Sequence, residues 1–187
     1  MAVIDQNCTW VKVEERLASE ADPVLRRNLE MLLRHMKAEA SLDMENLMAT
    51  VSERAHYHSY SGRGNPNPEG KAAVRRFYED FAASGAYKLQ FPLERLVVDR
   101  HCILTEGVMR MAYPGSTLAQ MGIEVDDPDA YYLYEARMAI VWPIDEDGLF
   151  IGEDSYVEGD GMEGIAGRKI KPEDIVLYRP EALSAAT

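Results

Sequence analysis

Apolar residues recur at helical spacing through the first half of the chain and alternate with polar ones through the second. Leu25, Leu29, Leu32, Leu33, Met36 and Ala40 form one helical stripe. Asp22-Pro23 opens it, with Asp as N-cap and Pro at the first helical position. Ser41-Leu42-Asp43 breaks this helix, and Asp43 can cap the next, which carries Met44, Leu47, Met48 and Val51. A weaker helical pattern precedes both, over residues 11–21. Residues 55–60 are aromatic and alternating and read as a short strand, followed by a Gly/Asn/Pro-rich loop over 61–68. Asn67-Pro68 then opens a helix in which Val74, Phe77, Tyr78 and Phe81 share a face, and Gly85 ends it.

Strand patterns follow. Residues 91–98 turn at Asp99-Arg100-His101 and return as 102–113. A longer loop spans 114–129. Residues 131–142 turn at Asp145-Glu146-Asp147-Gly148 and return as 149–157, the Asp-Gly pair being a hairpin signal. Residues 158–187 form a polar tail with an apolar patch, Ile175-Val176-Leu177-Tyr178, which could fold back on the body or cover a partner subunit. Helices first and a meander after them predict an α+β fold, with the helices packed on one face of a curved antiparallel sheet. In one solution of this kind the sheet curls into a cone whose open end is a pocket. Three segments are expected: an N-terminal extension over 1–21, the cone domain over 22–158, and a C-terminal tail over 159–187.

The 187 residues suffice for one domain with a real core. No apolar run approaches the roughly 20 residues that span a bilayer, and residues 1–10 lack the pattern of a secretory leader. A cytoplasmic location is therefore expected, with Cys8 and Cys102 as free thiols. A net charge of −12 disfavours nucleic acid and anionic membranes as partners. The acidic segment around Asp126 lacks the central Gly and terminal Glu of an EF-hand loop and reads as a solvated loop.

This order of elements resembles the nuclear transport factor 2-like superfamily, with its SnoaL-like, ketosteroid-isomerase-like and limonene-epoxide-hydrolase-like branches. The resemblance lies in the long helix ending near Asp43, in Ser52-Glu53-Arg54-Ala55-His56-Tyr57, in the segment from Glu69 to Tyr78, and in the final hairpin around Asp147-Gly148. It implies a cone-shaped fold, a homodimer and a pocket between helices and concave sheet. It does not imply one activity. Carried over position by position, the isomerase branch's hydrogen-bonding Tyr falls at His35. That branch's general-base carboxylate falls at Ser59, or at His58 if the register slips, and its second acid at Ile140. The epoxide-hydrolase branch implies a Tyr at Tyr57, and its last-strand Asp falls at Ser155.

Several residues carry candidate chemistry. His56 and His58 stand at i, i+2, a spacing that can supply two metal ligands; one of them could instead act as a general base. Glu135 and Arg137 share a strand face and can pair. That face would also carry Asp154 and Tyr156, while the other carries Met138, Ile140, Glu153 and Ser155. Either face could line the pocket, and the resemblance favours the second. Glu153 would then be an acid in apolar surroundings, able to shuttle a proton. Glu106 is similar, and Tyr134 belongs to a possible aromatic wall. The catalytic candidates are thus His35, Tyr57, His58 and Ser59. The substrate-binding candidates are Met138, Ile140, Glu153, Ser155, Glu106 and Tyr134.

Together these readings predict a protein that binds a small hydrophobic molecule. As an enzyme it would perform acid–base chemistry without a cofactor or metal, of isomerase, cyclase or hydrolase type, on a polycyclic or terpenoid-like substrate. Ser59, Ile140 and Ser155 stand where the related branches place carboxylates, which motivates an alternative: a non-catalytic binding protein on the same scaffold, or a dimerising accessory subunit.

Overall fold

A computed structural model describes residues 2–61 and 67–180. The chain enters through a two-residue strand β1 (Ile4–Asp5) and helix α1 (Val11–Ser19). Helix α2 (Pro23–Ser41) begins where the sequence predicts: the Asp22 carboxylate accepts from the backbone N–H groups of Val24 and Leu25, and Pro23 donates nothing that needs a partner. Leu42 stops it by turning left-handed at φ 57°. Asp43 then caps the short α3 (Met44–Met48). Strand β2 (His58–Tyr60) and helix α4 (Lys71–Ser84) follow. The loop read at 61–68 lies largely outside the described residues.

The remaining elements are β3 (Leu89–Gln90), β4 (Leu93–Val98), β5 (Cys102–Pro114), the short helix α5 (Gly115–Gln120), β6 (Tyr131–Pro143), β7 (Asp154–Val157), β8 (Lys169–Ile170) and β9 (Ile175–Val176). The main sheet runs β2-β7-β6-β5-β3, with β4 also on β5 and β8 also on β6. It does not close on itself. The long β5–β6 ladder pairs Cys102 with Pro143 at one end and Pro114 with Tyr131 at the other. Gly107 sits where the chain crosses closely from β4, since a Cβ there would collide with the Pro92 carbonyl. Helices packed on one face of this bent, mainly antiparallel sheet give the α+β cone that the pattern predicts.

Several details differ from that prediction. Helix α4 starts behind Gly70 rather than at Asn67-Pro68, whose Asn67 side chain instead accepts from the Ser59 N–H, and the strand read at 55–60 is confined to 58–60. The loop over 114–129 contains α5. The last strand is shorter than 149–157, because Phe150 and Ile151 bond instead to the segment after α3: the Phe150 N–H donates to the Thr50 carbonyl, and the His56 N–H donates to the Ile151 carbonyl. That contact also makes β2 pair with β7 in parallel, so the sheet is not wholly antiparallel.

The main core lies between α1, α2 and the concave sheet face and includes Trp10, Leu29, Leu32, Ile103, Trp142 and Phe150. A second cluster joins α2, α3 and α4 through Ala38, Leu47, Val51, Tyr57, Val74 and Tyr78. The two ends of the chain meet: β1 pairs in parallel with β9, and the Tyr178 ring lies 4.8 Å from that of Trp10, edge to face. The apolar patch of the tail thus folds back on its own chain.

Candidate functional site

A cavity of about 280 Å³ opens between α4, the end of α2 and the concave face of β5, β6 and β7. Its wall is mostly apolar. Met109 and Met111 come from β5, Met138 and Ile140 from β6, and Phe77 and Phe81 from α4. Alternation along β5 and β6 turns these side chains inward because their neighbours face solvent. Two carboxyl groups interrupt the apolar lining: Glu39 from the last turn of α2 and Glu153 from just before β7.

Behind them lies a chain of polar groups. The Tyr78 hydroxyl is 2.8 Å from Glu153 Oε2, 3.4 Å from the Tyr57 hydroxyl and 3.0 Å from His35 Nε2. His35 Nδ1 is 2.7 Å from Thr50 Oγ1, and that hydroxyl is 2.6 Å from the Leu47 carbonyl oxygen. His35 and Thr50 are fully buried. The His35 ring meets Trp142 and Phe150 edge to face, at 5.2 and 5.5 Å. Among the described residues the Glu39 carboxyl has no hydrogen-bond partner.

Burial governs the electrostatics here. It pushes Glu39 up to about 8, with the nearby Glu153 adding to the shift. It pushes Glu153 up to about 7, with help from Asp154. The two acids interact, so they titrate as a pair. Glu39 also sits at the C-terminal end of its helix, where the macrodipole disfavours a negative charge. Burial lowers His35 to about 3, which keeps its imidazole neutral, and holds Tyr57 and Tyr78 well above the usual tyrosine range. An acid pair that shares protons near neutrality, inside an apolar cavity beside two hydroxyls, can give a proton at one point and take one at another.

The structure gathers many of the predicted residues but not all. Tyr57, His58 and Ser59 line the cavity, as do Met138, Ile140, Glu153, Ser155 and Tyr134. The pocket-lining face of β6 is therefore the one with Met138 and Ile140. His35 does not reach the cavity; it lies one layer behind, in contact with Tyr78. Glu106 faces the opposite side of the sheet, ion-paired to Arg95 and Arg137, so it cannot touch a ligand in this cavity. The expected Glu135–Arg137 pair gives way to Glu135 with Arg110, which lies directly opposite it on β5, and to Arg137 reaching across β5 to Glu94 on β4. His58 Nδ1 bonds Asp154 Oδ1 at 2.7 Å across the parallel β2–β7 pair, and the His56 ring lies 4.1 Å from that of His58, tilted by 42°. Among the described residues, no group of three or more His, Cys, Asp and Glu side chains is placed to hold a metal.

Glu39, Tyr78 and Thr50 are absent from the sequence-level candidates. Tyr78 hides inside an apolar stripe with Phe77 and Phe81. Glu39 carried a signal that could have found it: it stands four residues after His35 and three after Met36, on the buried side of α2.

An α+β cone with helices over an open, strongly bent sheet and a cavity beneath them defines a well-populated class of protein. The sequence matches the SnoaL-like domain over residues 32–150, and the chain belongs to that family, within the nuclear transport factor 2-like superfamily. No curated protein matches it. Among solved structures, a protein from Shewanella putrefaciens CN-32, described provisionally as a SnoaL-like polyketide cyclase, superposes with a TM-score of 0.65 at 11% identity, covering 84% of this chain and 94% of that one. An NTF2-like protein from Anabaena variabilis gives 0.54 at 14% identity, with coverages of 76% and 96%. The Mycobacterium tuberculosis protein Rv0760c, solved in complex with estradiol-17beta-hemisuccinate, gives 0.55 at 16% identity, with coverages of 70% and 92%. At these identities the likeness is one of fold.

Proposed function

We propose that this protein is a cofactor-independent acid–base enzyme acting on a hydrophobic, polycyclic or polyketide-like carbonyl compound. One observation carries the reading: Glu39 and Glu153, two acids with raised pKa values, face one apolar cavity beside Tyr57 and Tyr78. Near neutrality the pair holds about one proton. The protonated acid gives its proton to a carbonyl oxygen. The ionised one takes a proton from the adjacent carbon, and the C–H electron pair becomes the enol double bond. Reversal at another carbon isomerises the substrate. Alternatively the enol carbon attacks a second carbonyl, and the new C–C bond closes a ring as that carbonyl's π pair moves to its oxygen. That oxygen takes the proton now held by the acid formed in the first step, while the enol O–H returns its proton to the other carboxylate and restores the first C=O. Tyr57, which lines the cavity, can donate to the developing oxyanion. The carboxylates absent at Ser59, Ile140 and Ser155 are supplied in this reading from α2 and from Glu153. The names of the Shewanella protein and of the steroid-bound Rv0760c are compatible with such a substrate class.

The test is hydrogen–deuterium exchange at the α-carbons of a panel of steroid-like and polyketide-like ketones in D2O, followed by NMR. Catalysed exchange is expected, and Glu153→Gln and Glu39→Gln should each lower it by about 10²–10⁴-fold. A panel member that binds tightly yet never exchanges, with wild type and both variants alike, would instead indicate a binding protein.

A further inference from the structure

The hydrogen bonds behind Glu153 have a direction, and it is set at their far end. The Thr50 hydroxyl oxygen lies 2.6 Å from the Leu47 carbonyl oxygen. Two oxygens that close need a proton between them, and a carbonyl has none to give, so it is Thr50's. Thr50 has no second proton. The 2.7 Å contact to His35 Nδ1 must therefore be an Nδ1–H donating to Thr50. The neutral imidazole then has a bare Nε2, and among the described residues its partner, 3.0 Å away, is the Tyr78 hydroxyl, which must donate to it. Tyr78's one proton is now used. The 2.8 Å contact between Tyr78 and Glu153 holds only if the proton comes from the carboxyl side. A carboxylate there would face a hydroxyl lone pair.

We propose that Thr50 and His35 form a positioning relay which, through Tyr78, holds the Glu153 carboxyl in its protonated, proton-donating form. The assignment of roles rests on the acid–base reading above; the relay's direction does not. His35 touches no ligand and moves no proton in the reaction. Its buried, aromatic surroundings keep it neutral, and a neutral ring with one fixed tautomer transmits polarity without changing charge. The titratable groups that face Glu153 are Tyr78, Tyr57, Glu39 and Asp154. Asp154 opposes its ionisation, in the same sense as the relay. Tyr57 lies 3.4 Å from Tyr78, longer than the Tyr78 contacts to His35 and Glu153, and its own proton stays available to the cavity.

The experiment uses the full chain without substrate. Two-bond proton–nitrogen correlations of 15N-labelled protein report the His35 tautomer, and infrared difference spectra of wild type against Glu153→Gln report the carboxylic-acid carbonyl stretch of Glu153. The expected result is the Nδ1–H tautomer of His35 and a protonated Glu153 at about pH 7. Thr50→Val removes the acceptor that orients the ring. His35 should then move to the Nε2–H tautomer, Tyr78 should turn to Glu153, and the Glu153 midpoint should fall by about one unit or more. A wild-type ring carrying its proton on Nε2, or on both nitrogens, overturns the relay. So does a Thr50→Val protein that folds and shows no change. If Thr50→Val fails to fold, Glu153→Gln decides: its amide donates as the protonated acid does, so the Nδ1–H form must persist, and an Nε2–H ring there overturns the proposal. Absence of turnover with the expected tautomer removes the enzymatic reading alone; turnover with the opposite tautomer removes the relay alone.

Discussion

Tyr78 is the residue on which the site turns. Among the described residues, its hydroxyl is the group that touches Glu153, Tyr57 and His35 together. Tyr78→Phe leaves the ring packed against Phe77 but strands a buried imidazole nitrogen and a carboxyl. The expected cost is about 1–3 kcal/mol, read from denaturant unfolding. Tyr57→Phe removes one 3.4 Å contact and should cost clearly less; equal losses for the two variants would count against Tyr78 as the hub. The difference between these tyrosines was not legible from sequence. Both sit in aromatic patterns, and only the position of Glu153 relative to Tyr78 separates them. Glu153 itself was legible, because alternation along the last strand put an acid on the apolar face.

At the scale of elements, α2 does most of the positioning. It carries Leu29, Leu32 and Met36 to the core, His35 to the relay and Glu39 to the cavity. Its start is held by Asp22, which caps it and also pairs with Arg100 at 2.7 Å. Asn28 ties the same helix to the β4–β5 turn by donating to the carbonyls of Asp99 and Arg100. Asp22→Ala should therefore destabilise the protein, mainly through the lost cap, because exposed ion pairs contribute little. Thermal unfolding measures it, and Asp22→Asn, which can still cap, should recover most of the loss. The cap and the helix were readable from Asp22-Pro23 and the apolar stripe. The parallel pairing of β2 with β7 was not, since it depends on residues 50–56 meeting 150–151 across the molecule.

For the whole molecule, the buried ionisable groups set a pH dependence whose sign can be worked out. Glu39 and Glu153 titrate at about 8 and about 7 in the fold against 4.5 when exposed. The folded state thus binds more protons than the unfolded one in that window, and stability falls as pH rises through it. His35 acts oppositely: lowered from 6.5 to about 3, it contributes stability that is lost as pH falls below 6.5. The melting temperature should therefore peak on the acidic side of neutrality and decline toward about pH 8–9. Glu39→Gln or Glu153→Gln should flatten the alkaline decline. A wild-type curve that keeps rising through neutrality would contradict the buried-acid assignment.

What the sequence determined by itself is the scaffold. Helical and alternating periodicities are local, and so are caps and turns; they suffice to place most helices, the β4–β5 turn and the long strands β5 and β6, but they leave open which face of β6 lines the cavity, a choice the resemblance only favoured. They suffice too for the resemblance to the SnoaL-like family, which follows from the order and spacing of elements. The tertiary structure alone decided the site. Glu39, Tyr78, Thr50, His35 and Glu153 are brought together from both halves of the chain, and no sequence spacing encodes that meeting. It also decided the chemistry, because desolvation and hydrogen-bond direction arise only when those groups are packed away from water.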